Sequence, residues 1–223
     1  MEWLLALGSI LVLDLILSGD NAILIALACK NLPLDKRKKA MFIGCFGAIV
    51  IRVCLTLFAT NLLSIAYLQF FGGLALLYIA INLLINHDEE DDTQSNKPVT
   101  LLSAIKTILF ADLIMSLDNI ISLAGIAQTV PSGKWSLIIC GLLASIPLVL
   151  CGSQLFLTLM NRFSIIVYLG AGILAFTAGK LIVTDRAMGF YFANFSGYIE
   201  FLLVILVLSI GYIKNKQCEQ INN

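Results

Sequence analysis

The stretch "LDLILSGDNAILIALACKNLP", residues 13–33, has the length and apolar content of a membrane span, apart from Asp14 and Asp20. Two carboxylates and an amide, Asn21, stand where lipid penalises them. A second stretch, "ADLIMSLDNIISLAGIAQTVP", residues 111–131, says nearly the same thing 98 residues later. Aligning Asp14–Pro33 with Asp112–Pro131 gives nine identities in twenty positions without a gap. The shared pattern is D-x-x-x-S-x-D-N: Asp14, Ser18, Asp20, Asn21 in the first copy and Asp112, Ser116, Asp118, Asn119 in the second.

Around this pair the chain is strongly apolar. Of 223 residues, 60% are hydrophobic and 13% charged, with a mean hydropathy of +0.97. Soluble domains carry about 25% charged residues, so the composition specifies an all-α polytopic membrane protein with the lipid bilayer as its solvent. Net charge is zero, so no nucleic-acid footprint is present. The amino-terminal run "MEWLLALGSILVLDL" has no Lys or Arg before it and continues to Ala28. It reads as a retained first span, because a signal peptide has a basic start and a shorter core. Six cysteines, Cys29, Cys45, Cys54, Cys140, Cys151 and Cys218, lie mostly in apolar text with no C-x-x-C pair, and read as small hydrophobes.

Seven apolar segments are expected, at residues 3–28, 41–63, 65–86, 100–128, 135–159, 164–183 and 197–213. The boundary between the second and third, near Asn61–Ser64, is short. Lys and Arg set the orientation, since they stay on the cytoplasmic side. With "CKNLPLDKRKKA" inside, ten of the fourteen basic residues fall inside and two, Lys134 and Arg186, outside; Arg52 and Lys180 fall within spans. The amino terminus is therefore expected outside and the carboxyl terminus in the cytoplasm. The segment "NHDEEDDTQSNKP", with His87, reads as a solvated cytoplasmic linker.

The 98-residue offset also lays "FGGLALLYIAINLL" (71–84) onto "LGAGILAFTAGKLI" (169–182). Each unit then holds three spans, and an odd number makes the second copy cross in the opposite direction. The expected organisation is a 3+3 inverted repeat: residues 1–86, an acidic linker 87–99, residues 100–183, then a loop, a seventh helix and a tail in 184–223. Such repeats are typical of transporters, with sites near the midplane between the halves. Asp20 lies about 9 Å beyond Asp14 along a helix, and an axis between the copies would set Asp14 level with Asp118 and Asp20 level with Asp112.

On a regular helix, Asp14, Ser18 and Asn21 share one face, at i, i+4 and i+7. Asp20 points about 120° away unless Gly19 loosens the helix; the second copy has Leu117 at that position. An aspartate at the bilayer centre costs about 2.5–3.5 kcal/mol. Arg52 and Lys180 cannot neutralise four of them, and a divalent ion fits that deficit. The donors are hard oxygens, which suit Mg, Ca or Mn rather than Zn or Cu. Met115 adds a thioether beside the second copy, although a methionine is more often packing. Arg52 either balances an empty site or latches an interface. Glu200, near the outer end of the last span, reads as interfacial, with a ligand role as its alternative. Gly72, Gly73, Gly170 and Gly172 allow close helix packing, and Pro147 is expected to kink the fifth span.

These residues resemble the paired Asp-Asn motifs of the TerC family of integral membrane proteins, particularly its short bacterial members. The resemblance covers nearly the whole chain: seven spans, the duplicated motif and the acidic middle loop. It implies an inner-membrane metal-ion exporter in a LysE-like superfamily, with Mn²⁺ as bound substrate and other divalent cations as alternatives. It also implies Asp14, Asp20, Asn21, Asp112, Asp118 and Asn119 as metal ligands; Ser18, Ser116, Met115, Arg52 and Glu200 are the accessory candidates that the residues themselves offer. The family's name comes from tellurite resistance, and the superfamily includes amino-acid exporters. No "GxxxxGK[ST]" is present, so an ion gradient or the membrane potential would drive transport. The rival readings are an amino-acid or other small-solute exporter and an intramembrane aspartyl protease with two acids sharing a proton. The expected protein is a carrier and not an enzyme, and a homo-oligomer stays open.

Overall fold

The structure, a computed structural model, describes residues 2–17, 19–57, 65–85, 100–128 and 133–221. Among them there is no strand. The helices are α1 (Glu2–Leu17), α2 (Gly19–Lys30), α3 (Leu34–Leu57), α4 (Leu68–Ile85), α5 (Leu101–Gln128), α6 (Lys134–Arg162), α7 (Ile165–Thr184), the short α8 (Gly189–Phe192) with a 3₁₀ turn (Ala193–Phe195), and α9 (Ser196–Ile221). Among the described residues five stretches are long and apolar enough to cross a membrane: 34–56, 68–85, 135–162, 165–184 and 196–214. The first apolar segment contributes α1 and α2, and α5 carries Lys106, Asp112 and Asp118 in its length. The linker with His87 and the boundary at Asn61–Ser64 lie outside the described residues.

The basic loop is shorter than expected. Only Asn31–Pro33 is non-helical, and Lys36, Arg37, Lys38 and Lys39 sit on the first turns of α3. Pro33 cannot continue α2 but suits a helix start, and its carbonyl accepts the N–H groups of Lys36 and Arg37. Arg37 turns back to close α2: its Nε donates to the Leu32 carbonyl at 2.7 Å and its Nη2 to the Lys30 carbonyl at 2.6 Å. A cation at a helix carboxyl end meets carbonyls that have no helical partner. The carboxyl tail is likewise helical, since α9 runs to Ile221. Thr100 caps α5 by accepting the Ser103 N–H at 3.1 Å. Pro147 lies inside α6, which runs through it.

Many large apolar side chains are exposed, and a set of charged and polar groups is buried. Phe71, Tyr78, Phe201 and Ile205 are exposed, whereas Asp14, Asn21, Arg52, Asp112, Ser116, Asn119 and Ser145 are buried. That inversion suits a lipid solvent. The most extensive contact joins α4 to α7; α3 packs on α5, both α1 and α2 pack on α6, and α9 covers α4 and α7. Gly73 permits the α4–α7 approach, because a Cβ there would lie 2.6 Å from Ile182 Cγ1 and 2.7 Å from the Ala178 carbonyl oxygen. Gly170 similarly faces Ile23 Cγ2 at 2.9 Å, and Gly72 faces Ile114 at 3.1 Å. Gly172 departs from the expectation: its nearest neighbour would be Val204 at an ordinary 3.7 Å.

Asp185, unnoticed in the sequence, ties α7 to α4. It is buried; its Oδ1 accepts the N–H groups of Ala187 and Met188 at 2.9 and 3.1 Å, and its Oδ2 accepts that of Phe70 in the first turn of α4 at 3.2 Å. Asp185→Ala orphans these donors and is expected to lower thermal stability in detergent by at least about 2 kcal/mol. Asp185→Asn, which keeps an acceptor at the Oδ1 position, should lose about half as much. Equal stability of Asp185→Ala and the parent would contradict this capping role.

Candidate functional site

Polar residues concentrate between two apolar clusters. Ile10 belongs to a small cluster with Leu137 and Leu142, whereas Ile23 belongs to the large one, on which Val149 packs. Asp14 and Asn21 fall between Ile10 and Ile23 along the chain, and Ser145 falls between Leu142 and Val149.

Arg52, on α3, is the centre of this layer and is 4% exposed. Its Nη1 donates to Asp14 Oδ1 at 2.7 Å and its Nη2 to Asp112 Oδ1 at 2.9 Å. Its Nε donates to Ser116 Oγ at 3.2 Å, and that hydroxyl in turn donates to Asp112 Oδ2 at 3.2 Å. All three nitrogens of the guanidinium are thereby used, and the first aspartates of both motif copies meet on one cation. The expected levels are corrected here: Asp14 comes level with Asp112. An axial spacing alone could not reveal this, because it depends on how far the two helices slide past one another.

Asp112, Ser116 and Asn119 are all buried on α5, as the i, i+4, i+7 spacing requires. In the first copy Asp14 and Asn21 are buried as well; Ser18 lies outside the described residues. Asp118 is part of α5, and its side chain lies outside the described residues. Asp20 stands apart from Arg52's hydrogen bonds. It occupies the first turn of α2, where its Oδ1 accepts the Asn21 N–H at 2.9 Å and its Oδ2 accepts the Thr177 hydroxyl of α7 at 3.4 Å.

Two buried oxygens, Asp14 Oδ2 and Asn21 Oδ1, have no hydrogen-bond partner among the described residues. Asn21 borders a cavity of about 30 Å³ whose polar lining also includes Arg52, Asp112, Ser145 and Cys45. Such a space holds a water or a bare ion. Among the described residues no three His, Cys, Asp or Glu side chains gather as a ready metal cluster. Met115 packs in the large apolar cluster, and Glu200 is half-buried on α9 against Gly179 of α7. Neither lines the cavity.

Ser145, Cys45 and Thr177 are the contributors that the sequence reading missed. Ser145 and Thr177 left a signal, a hydroxyl within an apolar run; Cys45 left none, since a buried thiol reads as a hydrophobe. Cys45 and Cys29 are buried free thiols, and Cys54, Cys140 and Cys151 are free and exposed.

The sequence profile described as "Integral membrane protein TerC family" matches residues 1–219. The chain belongs to the TerC family. It is 39% identical over 221 residues to "Uncharacterized membrane protein YjbE" of Bacillus subtilis, covering 99% of this chain and 98% of that protein. It is 34% identical over 123 residues to "Uncharacterized membrane protein YkoY" of the same species, covering 53% of this chain and 38% of that one. Against "UPF0053 inner membrane protein YgdQ" of Escherichia coli the figures are 29% over 140 residues, 56% and 59%. No solved structure matches. Membership of the TerC family and the several long apolar helices identify a multi-pass membrane protein, and the buried charged layer is its candidate site.

Proposed function

We propose that the chain exports divalent metal ions, Mn²⁺ foremost, from the cytoplasm by alternating access between two inverted three-helix repeats. In this reading seven spans cross the cell membrane, with the amino terminus outside and the carboxyl terminus in the cytoplasm. The carboxylates and amides of the two motifs hold the ion, and the protein catalyses no chemical conversion. The observation that carries the reading is the oxygen set around Arg52: two buried aspartates share one guanidinium, and Asp14 Oδ2 and Asn21 Oδ1 have no partner among the described residues. Two carboxylates and one guanidinium leave a formal negative charge inside the bundle, which favours a cationic guest.

Helix pairing supports the repeat. Packing of α3 on α5 corresponds, under exchange of the halves, to packing of α1 and α2 on α6. The equivalent helices α4 and α7 face each other, as helices beside a twofold axis would. The size of the cavity, about 30 Å³, favours an ion over an amino acid, because organic ligands occupy roughly 300 Å³ or more. A shared-proton protease dyad needs direct contact between acids, whereas Asp14 and Asp112 meet through Arg52.

Uptake into reconstituted vesicles, with Mn²⁺, Ca²⁺, Mg²⁺ and Zn²⁺ compared side by side, tests the reading. Saturable Mn²⁺ movement is expected. In cells, Asp20→Ala or Asp118→Ala should abolish manganese tolerance while the protein stays in the membrane. Unchanged tolerance in both variants would sink the assignment of those acids.

A further inference from the structure

We infer that Arg52 is the carrier's own cation: its guanidinium holds the Asp14 and Asp112 carboxylates when no metal is bound and yields them to the incoming divalent ion. The empty protein can then complete its cycle without a replacement ion from solution. This inference rests on the metal-transport reading and specifies how the site is occupied between turnovers.

The geometry suits exchange better than a permanent strut. Arg52 does not form a two-pronged pair with one carboxylate. It takes one oxygen from each, Asp14 Oδ1 and Asp112 Oδ1, at 2.7 and 2.9 Å. A divalent ion placed between the halves would use those same two oxygens, and Asp14 Oδ2 and Asn21 Oδ1, without partners among the described residues, are within the same polar layer to add to them. Metal and guanidinium therefore compete for the same ligands. Cys45, Ala48, Ile49 and Arg52 follow one another along one face of α3 and all border the cavity, so the residue that bears the guanidinium lies beside a space as well as beside the two acids.

The sequence supplies an independent observation. At the 98-residue offset the position equivalent to Arg52 is Leu150. The acids are duplicated and the cation is not. A latch between halves would be served equally well by a symmetric pair of arginines; a single internal competitor is what a single ion site requires. With guanidinium bound, the two acids and Arg52 sum to one negative charge; with a divalent ion bound in its place the two acids are neutralised by the metal, Arg52 keeps its own charge, and the same groups sum to one positive charge. Without either cation, both acids would have to be carried bare through the apolar interior, which is strongly disfavoured.

The experiment compares two fluxes in vesicles: exchange of radioactive Mn²⁺ for unlabelled Mn²⁺, in which the carrier is always loaded, and net flux, in which it must return empty. Arg52→Gln should lower net flux at least about tenfold more than it lowers Mn²⁺ exchange, because only the empty return lacks its cation. Arg52→Lys, which keeps the charge without the planar fork, should restore net flux to within about threefold of the parent. Retention of both fluxes by Arg52→Gln would overturn the inference and leave the transport reading standing. Loss of both fluxes in a folded Arg52→Gln would also overturn it, since the residue would then be needed for binding or architecture. No Mn²⁺ movement by the parent protein would instead remove the transport reading itself. If Arg52→Gln does not fold, the parent labelled with ¹⁵N-arginine decides: adding Mn²⁺ should change the guanidinium bands in an infrared difference spectrum, and an unchanged arginine signal would overturn the inference.

Discussion

Asp112→Asn is expected to abolish Mn²⁺ transport, lowering the vesicle rate by at least about 100-fold, while the protein remains folded in the membrane. The two halves of that expectation have different causes. Breaking the interaction of a buried charge with its partner costs about 3–5 kcal/mol, and 1.4 kcal/mol corresponds to a factor of ten. A bound ion that loses one of its two central carboxylates therefore loses at least about two orders of magnitude in affinity. The fold is spared because the substitution leaves Arg52 facing Asp14, a balanced one-to-one pair at 2.7 Å, and an amide still within reach of Ser116. The stability loss should be about 1–2 kcal/mol. Asp14→Asn should behave alike, leaving Arg52 with Asp112. Transport at a tenth of the parent rate or better in either variant would show that these oxygens do not hold the ion.

Gly73→Ala is expected to destabilise the protein by about 1–3 kcal/mol, and Gly73→Leu to prevent recovery of folded protein. The α4–α7 seam is closed at Gly73 by backbone as well as by side chain: the added carbon would lie 2.7 Å from the Ala178 carbonyl oxygen, which no rotamer can move. At Gly170 the obstruction is side chain alone, the Ile23 Cγ2 methyl at 2.9 Å, with no backbone atom among its nearest neighbours; Gly170→Ala should cost less. At Gly172 the nearest atom is 3.7 Å away, and Gly172→Ala should be tolerated. Thermal unfolding in detergent checks the order. Equal melting temperatures for all three alanine variants would show that the seam is not packed this closely.

The sequence distinguishes these three glycines poorly. All stand in the apolar text that the 98-residue offset superposes, and which one meets a neighbour's backbone depends on the rotation of α4 and α7 about their axes. The basic stretch after Pro33 behaves similarly. Its charges imply a loop, yet Lys36–Lys39 are helical, because α3 extends past the apolar limit and Arg37 finds carbonyl partners on α2. Asp185 was invisible for a related reason: its most distant partner, the Phe70 N–H, lies 115 residues earlier.

Periodicity and composition alone determined the helical class, the membrane solvent, the duplicated motif and the burial of Asp14, Asn21, Asp112, Ser116 and Asn119, because each follows from local spacing and from the cost of polar groups in lipid. Tertiary structure decided that Asp14 and Asp112 converge on Arg52, that Asp20 turns instead to Thr177, and that Ser145 and Cys45 border the cavity. Those relations join helices remote in sequence, and they depend on axial slide and rotation, which packing sets and residue spacing does not record.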